Sequence, residues 1–323
     1  MKTHKLKILT WNLYLGGDHT PLLRTTPETL PPRMMKLWET VQKTSYPSRV
    51  RAIAAVIART APDFVGLQEA MRWSVDGRPT LHTPYRTVVY DFVPLLLGEL
   101  AARGCHYSLV ARSPGVDVLL PTGQGFDVHF EDAVAILGRV QAPDRDITWA
   151  NPRAERFSQN LVEPVGGQPL TLSRQWTSVD VTVGGQPVRF VNAHIEYADE
   201  TVRDAQCAEL LAKAIPPLGQ TVILAGDFNA EAEKSKTWEI FAKSGFTDAF
   251  QKAGKGSGAT WGQNEMLNNP KSQLTQRLDW ILYRGKARAG SAMAVGDRPG
   301  ERTGKLWPSD HAGVLAHIVI GEE

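Results

Sequence analysis

Asp227 and Asn229 stand two residues apart in Gly226-Asp227-Phe228-Asn229, directly after the apolar run Val222–Ala225. In extended chain that spacing puts a carboxylate and an amide on one face. Five other places carry acids, amides or histidines where a strand-like run ends or begins: Trp11-Asn12, Gln68-Glu69, Asn192-Ala193-His194, Arg277-Leu278-Asp279 and Ser309-Asp310-His311. Singly, each reads as an ordinary turn, a solvated strand end or a rim ion pair. As a set they do not, because folding gains nothing from carboxylates at the ends of buried strands.

The residue types narrow the chemistry. Glu69, Asn12, Asp310 and Asp227 are hard oxygen ligands, suited to Mg²⁺ or Mn²⁺ rather than to zinc. No HExxH and no cysteine spacing supports a zinc site, and Cys105 and Cys207 are far apart. His194 and His311 come without a serine or cysteine in a recognisable nucleophile elbow, which disfavours acyl-enzyme chemistry. Carboxylates, a divalent cation and two histidines fit in-line attack of water on phosphorus. Asp227 orients or deprotonates the water, while cation and imidazoles neutralise the phosphate oxygens.

The elements that must position these groups are legible as runs. Lys5–Asn12, Asp63–Leu67, Tyr107–Ala111, Glu131–Val140, Val222–Ala225, Leu278–Tyr283 and Gly313–Ile320 read as strands. Val179–Val183 and Val188–Val191, joined by Gly184-Gly185-Gln186-Pro187, read as a hairpin. Helices are expected from Pro47 onward, over Phe92–Arg103, over Asp199–Ile215 and near Lys236–Ser244, with a short one around Met34–Val41. Segments 13–46 and 113–169 read as long loops, with Asp144–Pro169 exposed and either facing substrate or merely solvated. Short strands, hairpins and a few helices predict an α+β fold of antiparallel sheets covered by helices. Strict βαβ alternation is absent, and without a composition break one domain over residues 1–323 is expected.

Composition excludes little else. The 323 residues are 42% hydrophobic and 22% charged, with a net charge of +2, too weak to argue for a polyanionic partner. No apolar run reaches the length of a membrane span. The basic start Met1–Lys7 passes directly into a strand, with no leader core or cleavage site, so a cytoplasmic monomer is expected, or a secreted one if a leader has been removed. A basic stripe of Arg277, Arg284, Lys286, Arg288, Arg298, Arg302 and Lys305 would suit a nuclease. Trp38, Trp73, Trp149, Trp261 and Trp307, outside clear strands, would suit exposed loops of a lipid enzyme.

The ordered set Thr10-Trp11-Asn12-Leu13, Gly66-Leu67-Gln68-Glu69, Asn192-Ala193-His194-Ile195, Gly226-Asp227-Phe228-Asn229-Ala230, Arg277-Leu278-Asp279-Trp280-Ile281-Leu282 and Ser309-Asp310-His311 resembles the endonuclease/exonuclease/phosphatase superfamily. The resemblance implies a DNase-I-like, four-layer αββα sandwich with the site on the rim where strand ends meet. It implies Glu69 as principal metal ligand, with Asn12 and Asp310 near the same Mg²⁺ or Mn²⁺. Asp227 and Asn229 would orient the attacking water and contact the scissile phosphate. His311, oriented by Asp279, would bind phosphate and share a proton. His194 resembles the second phosphate-contacting histidine of the DNase, sphingomyelinase, inositol-phosphatase and deadenylase branches.

One departure is Glu131-Asp132, where many relatives carry Gly-Asn or Gly-Val. The implied activity is metal-dependent cleavage of a phosphodiester in nucleic acid, phospholipid or a small molecule. A sphingomyelinase- or phospholipase-C-like enzyme and a small-molecule phosphatase are the alternatives, and a non-catalytic binding protein of the same fold is the last. Substrate choice is expected in segments 13–46 and 113–169.

Overall fold

The structure is a computed structural model that describes residues 3–77, 86–140 and 146–321. Its centre is two sheets packed face to face. The larger runs, in spatial order, Gly254–Lys255, Ala287–Val295, Gly313–Ile320, His4–Asn12, Phe64–Gln68, Phe126–Arg139, Arg72–Gly77 and Arg86–Asp91, and Tyr107–Pro121 also pairs with Phe126–Arg139. The smaller runs Thr247–Asp248, Asp279–Arg284, Thr221–Asp227, Gln186–His194, Gln175–Val183 and Ile147–Arg156. Pairing is antiparallel except between His4–Asn12 and Phe64–Gln68, Gln186–His194 and Thr221–Asp227, and Gly254–Lys255 and Ala287–Val295.

Period-two alternation explains the layering. In Thr221–Asp227, Ile223 and Ala225 enter the core between the sheets, whereas Val222 and Leu224 enter a second core beneath helices Glu200–Lys213 and Lys236–Lys243. Burial on both faces is why this strand reads as an unbroken apolar run. Likewise Leu6 and Ile8 face the inter-sheet core, and Leu9 and Trp11 face helices Leu30–Thr44, Tyr46–Thr60 and Phe92–Ala101 on the far side of the larger sheet. The architecture is thus the expected four-layer α+β sandwich.

Asn192 clamps the sheets together near the rim. Its amide donates to the carbonyls of Leu67 and Ala135, 3.1 Å each, and accepts from Gln68 Nε2 at 2.6 Å. Gly66 makes the room: a Cβ there would lie 2.6 Å from Asn192 Oδ1.

Two expectations need correction. Segment 13–46 is not mainly loop, because Leu30–Thr44 forms a 15-residue helix with proline in its first turn, where no intrahelical N–H is needed. Segment 113–169 is mostly strand: residues 113–121 belong to the strand Tyr107–Pro121, with a register shift at Pro114–Asp117, Phe126–Arg139 pairs with it, Ile147–Arg156 joins the smaller sheet, and Leu161–Val165 pairs with Gln168–Leu172. Irregular pairing and proline hid the period-two signal. Residues 144–145 of the expected exposed loop lie outside the described residues.

Candidate active site

Strand register brings the polar groups together. His194 is the register partner of Asp227, and Asp227 of Asp279, so three adjacent strand ends of the smaller sheet carry chemistry side by side. Gly226 permits the close approach, since a Cβ there would collide with the Ala193 carbonyl. The larger sheet contributes Asn12 and Glu69 from the parallel ends of His4–Asn12 and Phe64–Gln68, and Asp310 and His311 just before Gly313–Ile320. Asn12 joins the two halves: its Nδ2 donates to Asp227 Oδ2 at 2.9 Å and to Glu69 Oε1 at 3.1 Å.

Three residues at this junction, Tyr14, Glu69 and Asn229, have left-handed backbone with φ of 60°, 48° and 46°. Such conformations cost energy in a residue with a Cβ and cluster at functional sites. Here they turn the chain sharply at each exit into a cleft of about 440 Å³. Glu69, His194, Asp227, Asn229, Asp310 and His311 line it, while Asn12 and Asp279 stand behind, 1% and 0% exposed.

Each expected residue has a definite environment. The Asn229 backbone N–H donates to Asp227 Oδ1 at 2.9 Å, and its Nδ2 donates to the Ile195 carbonyl. Burial, reinforced by Asp279, pushes the Asp227 carboxyl up to about 6 against the opposing pull of His311 and Asn12. Glu69 accepts from the Leu15 N–H at 2.5 Å, and burial, Asp310 and Asp132 push it up to about 7. Asp310 is likewise raised by burial, against the pull of His311 and Arg49.

The two histidines differ. His311 Nδ1 lies 2.8 Å from Asp279 Oδ2. Burial alone would lower its pKa, but Asp279, Asp310 and Asp227 outweigh burial and hold it well above the ordinary value. His194 is pushed well below the ordinary value by burial and by the Arg174 guanidinium. Its Nε2 lies 3.1 Å from both Arg174 Nη1 and Asn229 Nδ2, two donors, so it accepts and the ring is neutral. The 3.5 Å approach of His194 to Asp227 is therefore not an ion pair.

Asn12 was expected among the metal ligands. Its Oδ1 accepts from the Tyr14 N–H at 2.9 Å, and its Nδ2 faces the carboxylates of Glu69 and Asp227. Asp227, Asp279 and His311 form a group whose ligand atoms all lie within 4.8 Å and could hold a metal ion. Two members of that group, His311 and Asp279, are bonded to each other.

Arg277 does not join the site. It is buried in ion pairs with Asp248 and Glu233, the latter at 2.5 Å. Arg284 caps the carbonyls of Ser244 and Pro216 over the Phe246 ring, so the expected basic stripe is broken at both members. Of the tryptophans expected in exposed loops, Trp38, Trp73 and Trp307 are buried, and Trp261, 39% exposed, lines the cleft.

Arg174 was missed. It precedes Gln175, the register partner of His194, which puts its guanidinium beside that imidazole and over the Tyr197 ring. Its Nε is buried without a hydrogen-bond partner. The available signal was a cation at the start of a hairpin strand, the end opposite to the one where polar groups were sought. Asp132, at the departure from the usual family pattern, accepts from Gln175 Nε2 at 3.0 Å and leaves Oδ1 unpartnered.

Comparison with known proteins agrees with this architecture. The structure of an endonuclease/exonuclease/phosphatase family protein from Bacteroides thetaiotaomicron is similar at a TM-score of 0.64 and 16% identity, with 99% of each chain covered. A mannosyl-6-phosphatase from the same organism gives 0.61 and 17% identity, covering 98% of this chain and 100% of that one. Truncated TDP2 from Caenorhabditis elegans gives 0.52 and 16%, covering 98% of both. No curated protein matches this sequence. The family description Endonuclease/Exonuclease/phosphatase matches residues 9–311, nearly the whole chain, and the chain therefore belongs to the endonuclease/exonuclease/phosphatase family.

Proposed function

We propose that the protein is a divalent-metal-dependent phosphoester hydrolase that cleaves a phosphodiester with water. The observation that carries this reading is the pairing of a raised carboxylate, Asp227, with a raised imidazolium, His311, whose Nε2 lies 3.8 Å from Asp227 Oδ2 across one cleft. A base near neutrality beside a protonated acid is what attack of water and departure of an alcohol require.

In this reading Asp227 takes the proton from water, held by Asn12 and by the Asn229 N–H. Arg174 and His311 direct N–H groups at the phosphate oxygens with Asn229 beside them, and His311 supplies a proton there while Asp279 keeps its ring oriented. His194, neutral, positions the Arg174 and Asn229 donors. Glu69 and Asp310 would hold a Mg²⁺ or Mn²⁺. The fit rests on the carboxylates themselves: both are buried hard-oxygen donors raised in pKa, and the nearby cation Arg49 is occupied by backbone carbonyls. Bound there, the ion supplies Lewis-acid neutralisation of phosphate charge.

The substrate reading leans away from nucleic acid. Asp18, Glu231 and Glu265 line the cleft, and two of the expected basic-stripe cations are tied to acids or carbonyls. Hydrolysis of bis(4-nitrophenyl) phosphate with Mg²⁺ or Mn²⁺, abolished by chelation and by His311→Ala, is the expected result. No release with either ion would end the proposal.

A further inference from the structure

The cleft does not close at Glu69 and Arg174. Leu15, His19, Glu69 and Arg174 line both it and a second, narrower cavity of about 60 Å³. Past that mouth the walls are apolar: Leu22 and Leu37 from segment 13–46, Trp73, Leu120 and Phe130 from the larger sheet, and Val165 from the hairpin Leu161–Leu172. Leu120, Val165 and Leu170 in turn wall an outer groove of about 400 Å³, where Leu119 is 42% exposed beside Pro121 and Pro169. Three spaces thus share walls pairwise from the reactive groups toward the surface, and the middle one is an apolar neck. The helix Leu30–Thr44 and the hairpin Leu161–Leu172 contribute walls of this neck, and the sequence places both within long insertions.

Its polar lining side chains are His19, Glu69, Asp132 and Arg174, and all but Asp132 also line the cleft. Asp132 Oδ1 and Arg174 Nε are buried there without hydrogen-bond partners. His19, lowered to about 4 by burial and by Arg174, is a neutral wall. Water deeper in the neck would find too few polar partners. A hydrocarbon would regain the dispersion contacts the walls forgo when the space is empty.

We infer that the neck binds a hydrocarbon chain and that the substrate is a phosphoester carrying one, a lipid phosphoester. The phosphate lies among Arg174, Asn229 and His311, and the chain runs between Leu37 and Val165 toward the outer groove. This rests on the hydrolase reading above and names its substrate class. The reaction is unchanged: water adds to phosphorus, one P–O bond breaks, and the alcohol leaves with a proton.

The test uses 4-nitrophenyl n-alkyl phosphates with methyl, butyl and octyl chains, at monomeric concentrations with Mn²⁺. The expected kcat/KM rises from methyl to octyl by about fourfold per methylene that enters the neck, the equivalent of about 0.8 kcal/mol each. Leu120→Trp and Leu170→Trp, which fill the neck, are expected to bring the octyl-to-methyl ratio of kcat/KM within each variant close to one. Equal rates across the series in an active enzyme would overturn the lipid inference and leave the hydrolase reading standing. A rise that both variants retain would place the chain elsewhere and also overturn it. If no ester is cleaved, bis(4-nitrophenyl) phosphate included, the hydrolase reading fails. Calorimetry of octylphosphonate against methylphosphonate then decides the neck alone: a preference for octyl lost in Leu170→Trp sustains it, and equal binding refutes it.

Discussion

His311 Nδ1 meets Asp279 Oδ2 at 2.8 Å, although the two side chains come from different sheets. Thr260 Oγ1 accepts from the backbone N–H groups of Leu278 and Asp279, and Ser309 Oγ from that of His311, so both partners are held by their own backbones. The pair links the sheets and sets the charge of the imidazole.

Asp279→Asn is expected to shift the pH profile. His311 has a raised folded pKa, so its proton is present at low pH and lost as pH rises through that value. Removing the Asp279 charge lowers it, and the alkaline fall of kcat moves to lower pH. The same linkage makes the stability from this pair complete below about pH 6.5 and lost at higher pH. Thermal unfolding should show the variant weakened most in acid, by on the order of 3 kcal/mol.

Asp227→Asn is expected to lower kcat by about 10²- to 10⁴-fold with little change in KM. In the wild type the acid limb of kcat should fall as pH drops through about 6, where Asp227 takes up a proton. Wild-type turnover by the variant at pH 8 would remove Asp227 as the base.

Glu69 links metal to stability. Its carboxyl is raised to about 7, so the native state binds the extra proton, and metal-free stability declines as pH rises through 7. Mg²⁺ or Mn²⁺ should reverse the decline, by about 2.7 kcal/mol at a hundredfold excess over Kd. Glu69→Gln should flatten the metal-free pH dependence and remove the metal-induced rise in Tm. Scanning calorimetry with and without chelator reads both.

Arg49 is buried beneath the site and donates to the carbonyls of Leu13, Tyr14, Thr44 and Pro308 at 2.6–3.0 Å. It thereby holds the Tyr14–Leu15 turn that supports Glu69 and the chain leading to Asp310. Arg49→Leu leaves these acceptors without a donor and is expected to destabilise by about 3 kcal/mol or more. Arg49→Lys should recover part of the stability yet keep kcat at least about tenfold down, because a lysine cannot reproduce the fork of the guanidinium.

Much of the site was readable from strand ends. Asn12, Glu69, His194, Asp227, Asp279, Asp310 and His311 share one junction because apolar runs of five to nine residues must be strands, and polar residues just beyond them must reach the rim. The sandwich followed from the same runs, since strands apolar on both faces need cover on both sides. Other features were not local properties. Arg174 enters the site only through its register opposite His194, and Arg277 leaves it because Asp248 and Glu233 are nearer than Asp279. Asn192, spaced like a catalytic partner of His194, is consumed by the clamp between sheets. The neck of Leu37, Leu120 and Val165 joins segments more than forty residues apart, which no period in the chain can signal. Periodicity determines which faces are buried; only tertiary packing decides which buried faces meet, and so where a chain of carbon could lie beside the phosphate.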